Sequence, residues 1–166
     1  MSSLPANEDR ERLKAAMATP SGFLALGLGS GLSPKAPGTA GTAMGMVLAL
    51  PLGGMPAWAG LVAVLVAFVA GIWICDSACR QLGRHDHGAI VWDEFVGIWL
   101  VLALVPFEWI WWIAAFVLFR VFDIVKPWPI GWLDRRVHGG LGVMLDDILA
   151  AAYAVLILRI LAGFWY

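Results

Sequence analysis

Residues 119–147 read FRVFDIVKPWPIGWLDRRVHGGLGVMLDD, and the fold turns on what such a stretch does between two apolar runs. It leaves a strongly apolar segment through Arg120, Asp123 and Lys126 and is broken by Pro127 and Pro129. It then passes Asp134, Arg135, Arg136 and His138 to reach Gly139-Gly140. It ends on Asp146 and Asp147 at the head of another apolar segment. Eight of the chain's 11 basic and 12 acidic residues fall in this stretch. Ionisable groups beside membrane segments are costly unless paired, hydrated or bound to an ion, so chemistry is sought here first.

The rest of the chain is greasy. Hydrophobic residues make up 61% and charged ones 14% of 166 residues, against about 45–50% and 25% in a soluble domain. Apolar segments at 42–52, 57–75, 95–107, 109–122 and 148–162 predict an all-α, polytopic membrane bundle of four to five short helices. A crossing takes about 20 residues, so 57–75 spans by itself and the others borrow flanking residues or cross obliquely. Pro106-Phe107-Glu108 leaves room for a tight reversal or a kink. Trp109, Trp111, Trp112, Trp128 and Trp132 are expected at membrane interfaces. Residues 1–20 form a polar N-terminal segment and 21–166 a single membrane domain. Glu8, Asp9, Arg10, Glu11, Arg12 and Lys14 precede any apolar run, unlike a cleavable signal peptide. Residues 7–17 suit either an amphipathic helix lying on the membrane or a solvated one.

Several function classes drop out. With a net charge of -1 and no basic face, nucleic acid is not a partner. Cys75 and Cys79, four apart in an apolar run, suit reduced core positions better than a disulfide framework or redox pair. Gln81 stands six residues after Cys75, where a cysteine phosphatase needs arginine.

The basic residues set a topology. If the first crossing runs outward from Lys35, the inner connections carry Arg80, Arg84, Lys126, Arg135 and Arg136. The outer ones, at 51–56 and around Glu108, carry no lysine or arginine, which is a positive-inside pattern. Asp76, Asp86, Asp93, Glu94, Asp123, Asp134, Asp146 and Asp147 then converge on the inner membrane face.

Asp93-Glu94 and Asp146-Asp147 each head an apolar segment, where one aspartate is expected as an N-cap. One carboxylate suffices for a cap. Two adjacent pairs, with Asp123 on the preceding helix, look like hard oxygen ligands for a divalent cation such as Mg²⁺. Adjacent helix residues point about 100° apart, so whether both members of a pair reach one ion stays open. Arg120, Asp123 and Lys126 share a helix face, as either a salt-bridge ladder or a phosphate and metal surface. Asp76 and Arg80 read as an i, i+4 salt bridge. His85, Asp86 and His87 lack the cysteine partners of a zinc site and read as a hydrated loop, and His138 as a turn end. In LSPKAPGTAGT, Thr39 is the expected N-cap. Gly38, Gly41 and the amides up to Thr42 offer an anion site beside Lys35, while Gly41 and Gly45 equally suit close helix packing.

LSPKAPGTAGT, HDHGAIVWDEFVG and the 119–147 block resemble the signature blocks of the phosphatidylglycerophosphatase A family, in the family's order, over residues 27–151. The resemblance implies a Mg²⁺-dependent membrane enzyme of the bacterial cytoplasmic membrane, with its site facing the cytoplasm. Its substrate would be a membrane phospholipid, phosphatidylglycerophosphate, whose terminal phosphate it removes. In that scheme Asp93, Glu94, Asp123, Asp146 and Asp147 supply the metal shell. Lys35, Lys126 and the Gly38–Thr42 amides hold the phosphate. Water is the expected nucleophile, because no Asp-x-Asp-x-Thr loop of the aspartate phosphatases is present. The signatures of CDP-alcohol phosphotransferases and of histidine-nucleophile lipid phosphatases are also absent. A small cation transporter is the alternative, and its carboxylates belong near the bilayer midplane.

Overall fold

The computed structural model describes residues 6–84 and 87–165, and among them every regular element is helical. The α-helices are α1 (Ala6–Met17), α2 (Pro20–Ala25), α3 (Pro37–Leu48), α4 (Ala57–Leu82), α5 (Trp92–Leu104), α6 (Trp109–Val125), α7 (Ile130–Asp134) and α8 (Gly139–Trp165). Helix α8 is the axis, lying against α4, α5, α6 and α7. Small residues make this possible. A Cβ on Gly140 would strike the Ile72 carbonyl of α4, and Gly71 of α4 makes room for Met144 and Trp92. Ala150, Ala151 and Ala154 continue the seam with no exposure. Without such residues the backbones could not approach this closely.

The same device joins α5 to its neighbours. Phe119 of α6 lies over Gly97, where a Cβ would stand 2.6 Å from the ring. The ring is fully buried, and truncating such a phenylalanine costs about 3–5 kcal/mol. It pins the last turns of α6, which carry Arg120 and Asp123. Helix α3 packs on α5 through Gly41, whose Cβ would lie 2.6 Å from Val91 Cβ, and Gly45, 3.0 Å from Phe95 Cα. Helices α1 and α2 cover the C-terminal half of α4. Asp9 Oδ1 lies 3.2 Å from His87 Nε2, and Gln81 Nε2 donates to Ser21 and Ser77, both at 3.1 Å. Cys75 and Cys79 are free thiols in this core.

Several expectations need correction. Neither Asp93 nor Asp146 is an N-cap. Val91 is the N-cap of α5, so Asp93 and Glu94 lie within its first turn. Helix α8 starts at Gly139, two turns before Asp146, because Gly139 at φ 75° turns the chain straight into it. Helix α3 begins at Pro37, whose ring pre-sets the first helical φ, so Ala36 rather than Thr39 is the N-cap. Trp111 and Trp112 are buried between α5, α6 and α8, whereas Trp109, Trp128 and Trp132 are exposed. His87 is buried against Asp9 and accepts from the Ala89 amide, so it does not belong to a hydrated loop. His85 and Asp86 lie outside the described residues. Asp76 and Arg80 do form an ion pair.

Two helices, at 57–82 and 139–163, are long and apolar enough to cross a membrane. Helix α5 has 13 residues, about 20 Å at 1.5 Å each, and is short of a hydrocarbon core by itself. The chain reverses tightly between α5 and α6 at Val105–Glu108. Large apolar side chains stand exposed along α4 from Trp58 to Trp73 and along α6 at Ile110, Ile113, Val117, Val121 and Ile124.

Candidate active site

The carboxylates that are separated in sequence meet where α5, α6 and α8 pack together. Asp93, Glu94 and Asp147 each place an oxygen within 4.8 Å of the others, and so do Asp123, Asp146 and Asp147. Neighbouring residues on one helix thus do reach one locus, because each pair straddles the line facing its partner helix. Asp147, 2% exposed, belongs to both groups.

Two cations are woven into the cluster. Arg120 Nη1 lies 2.5 Å from Asp123 Oδ2 and 3.6 Å from Glu94 Oε1, linking α6 to α5. Lys126, the left-handed C-cap of α6, sends Nζ 2.6 Å to Asp146 Oδ2 and 3.1 Å to Asp134 Oδ1. Burial alone would lower its pKa, but the Asp146 and Asp134 carboxylates outweigh this and hold the ammonium above its ordinary range. The expected Arg120–Asp123–Lys126 ladder is therefore only half formed. Its third member turns toward α7 and α8, since the two prolines end the helix there.

A buried polar atom with no hydrogen bond costs about 1–3 kcal/mol, more if charged. Glu94 Oε2 and Asp147 Oδ2 are buried and accept no hydrogen bond among the described residues. Two orphaned carboxylate oxygens within a group of five acids are a fit for a divalent cation.

The start of α3 borders this cluster. A Cβ on Gly38 would collide with Glu94 Oε1 and stand 2.9 Å from the Arg120 guanidinium, so only glycine leaves this space open. No side chain caps the helix, and the amides of Gly38 and Thr39 are first-turn donors without an intrahelical partner. Gly41 and Thr42 lie further in. Gly41 is taken up by packing on Val91, and the buried Thr42 hydroxyl donates to the Gly38 carbonyl at 2.9 Å. Lys35 is exposed in the turn before α3, its carbonyl held by Ser33 Oγ at 2.8 Å. Arg120 belongs to this cluster, though the sequence reading left its helix face between a salt-bridge ladder and a phosphate and metal surface and did not count it among the expected site residues. Its position three residues before Asp123, on the face already assigned to the site, was the available signal.

No solved structure matches the chain. Three relatives do. Phosphatidylglycerophosphatase A of Escherichia coli is 41% identical over 99% of this chain and 96% of its own length. Phosphatidylglycerophosphatase A of Haemophilus influenzae is 45% identical over 90% and 93%. A Bacteroides thetaiotaomicron protein, provisionally named a phosphatidylinositol-3-phosphatase, is 39% identical over 83% and 91%. The family model for phosphatidylglycerophosphatase A matches residues 23–162, a range that holds all five carboxylates, Arg120, Lys126 and the α3 start, and the chain belongs to that family.

Proposed function

We propose that the chain is a Mg²⁺-dependent lipid phosphatase that hydrolyses the terminal phosphomonoester of phosphatidylglycerophosphate at the cytoplasmic face of the bacterial inner membrane. The observation that carries this reading is the meeting of five carboxylates beside an uncapped helix start and a partly buried arginine, in a chain of this family. Mg²⁺ held by Asp93, Glu94, Asp123, Asp146 and Asp147 supplies phosphate charge neutralisation and a lowered pKa for water. The protein groups do the rest. The Gly38 and Thr39 amides face the phosphate oxygens and favour the charge that develops on them. Arg120 offers a planar fork suited to two of those oxygens. Lys126 holds Asp146 in place rather than standing free as a phosphate ligand, and exposed Lys35 meets the head group as it arrives. One water is consumed. Its oxygen ends on phosphorus, the ester P–O bond breaks, and its protons are divided between the released alcohol and phosphate.

Membrane embedding is supported by the exposed apolar faces of α4 and α6, which are far more extensive than a soluble monomer shows. The exposed run on α4 stops at Trp73. Trp92 Nε1, beside the acid pair that opens α5, donates to the Ala67 carbonyl in the Trp73 half of that run. A site displaced toward that end of the apolar band favours a head group over a transporter's midplane site. Arg80, Arg84, Lys126, Arg135 and Arg136 fall on that side, and exposed Arg159 toward the other. Helices α3, α5 and α6 complete the bundle as oblique or partial crossings around α4 and α8, and α1 covers the inner end of α4.

The test is phosphate release by the purified chain from phosphatidylglycerophosphate, phosphatidylinositol 3-phosphate and soluble glycerol phosphate, with Mg²⁺ or chelator, beside cation flux in proteoliposomes. Preferred, Mg²⁺-dependent release from phosphatidylglycerophosphate is expected. Preference for the inositol lipid would reassign the substrate, and flux without phosphate release would support the transporter.

A further inference from the structure

Asp147 contributes to two carboxylate groups that otherwise share no member: Asp93 and Glu94 of α5 on one side, Asp123 and Asp146 on the other. We infer that the site holds two divalent cations bridged by Asp147, one between α5 and α8 and one between α6 and α8. The inference rests on the metal-dependent phosphatase reading above and adds to it the number of ions and the residue that joins them.

Three features support it. Each group by itself supplies three oxygens within 4.8 Å of one another, enough protein ligands for a Mg²⁺ that also keeps waters and substrate oxygens. The orphaned oxygens are Asp147 Oδ2 and Glu94 Oε2, and Asp147 is the most buried carboxylate of the five. Lys126 pairs with Asp146, and Arg120 spans the two groups through Asp123 and Glu94, yet neither forms an ion pair with Asp147 among the described residues. Charge points the same way: six carboxylates, Asp134 among them, face only Arg120 and Lys126, a surplus of acid that divalent cations offset. A clamp of two ions on the attacking and leaving oxygens is a general solution to phosphoryl displacement, with ions about 3.5–4 Å apart.

The test uses Mn²⁺ as the probe on the full chain in detergent, reading ion stoichiometry and electron paramagnetic resonance with no substrate present. Two Mn²⁺ per chain with an exchange-coupled spectrum are expected. Asp147→Asn should abolish the coupling and lose at least one ion. Asp93→Asn and Asp123→Asn should each leave one uncoupled ion, with circular dichroism confirming that the variants fold. A single uncoupled Mn²⁺ in the parent chain, or coupling that survives Asp147→Asn, would overturn the bridged pair. Failure of the underlying reading looks different: no Mn²⁺ bound, with phosphate release undiminished in chelator.

Discussion

Gly38 and Gly41 stand three residues apart, and each would resist a methyl group for a different reason. A Cβ at Gly38 intrudes on Glu94 and Arg120, the groups that border the phosphate position. A Cβ at Gly41 intrudes on Val91 in the α3–α5 seam. Gly38→Ala is therefore expected to cut kcat/KM at least tenfold with little change in melting temperature. Gly41→Ala should cost about 1–3 kcal/mol by overpacking, with turnover per folded molecule retained. Enzyme assays beside thermal melts separate the two. The sequence showed a glycine-rich helix start with two uses. It could not show which glycine served which use, because that depends on where α5 and α6 come to lie. Arg120 makes the same point. The i, i+3 spacing predicts its contact with Asp123, whereas its reach to Glu94 depends on packing. Arg120→Lys keeps the charge but loses the planar fork and should raise KM for the lipid several-fold, a change that a purely structural ion pair would not produce.

At the scale of elements, the decisive event is the joining of α6 to α8 across α7. Lys126, Asp134 and Asp146 form a clasp that fixes how far α8 is turned, and hence where Asp146 and Asp147 point. Lys126→Met removes the clasp and leaves Asp146 without its cation, so a loss of phosphate release of about 10²-fold is expected, comparable to removing one oxyanion donor. Mg²⁺ titration of the activity should show a raised requirement, and an unchanged Mg²⁺ midpoint would contradict the positioning role. The apolar helices α3, α4, α5, α6 and α8, their order and the reversal near Glu108 were legible from hydropathy and proline placement, whereas the short α2 and α7 were not. Their starts were not. Asp146 resembles a cap only while α8 is taken to begin with the apolar run, and Gly139, Gly140 and Gly142 make the two turns before it read as a loop. What holds those turns is Gly140 against the Ile72 carbonyl, a contact between residues far apart in the chain.

For the whole molecule, the acid cluster, the basic connections and the α1–α2 cap lie at one end, and the 50–56 and 105–108 turns at the other. Gly54 and Gly88 mark these ends, and neither has an atom within 4 Å of a would-be Cβ, so both accept a probe without strain. Gly54→Cys and Gly88→Cys should label from opposite sides of the membrane with an impermeant maleimide, the buried Cys75 and Cys79 staying silent. Same-side labelling would contradict the topology. The sequence grouped the basic connections on one side, while Arg159 lies with the 53–56 and 105–107 turns at the other end. The convergence of the acids on one locus was legible as a tendency, and its division into two groups about Asp147 was not, since that follows from the angle at which three helices meet.

Five carboxylates crowded together repel one another, so a cluster kept for catalysis should be held at a cost in stability, whereas caps and salt bridges should add stability. The most direct measurement is to follow Asp147→Asn for both melting temperature in Mg²⁺-free buffer and phosphate release from phosphatidylglycerophosphate in Mg²⁺. A melting point equal to or a few degrees above the parent's, with release lowered by about 10²-fold or more, is the predicted result. A lower melting point with normal turnover per folded molecule would contradict the account.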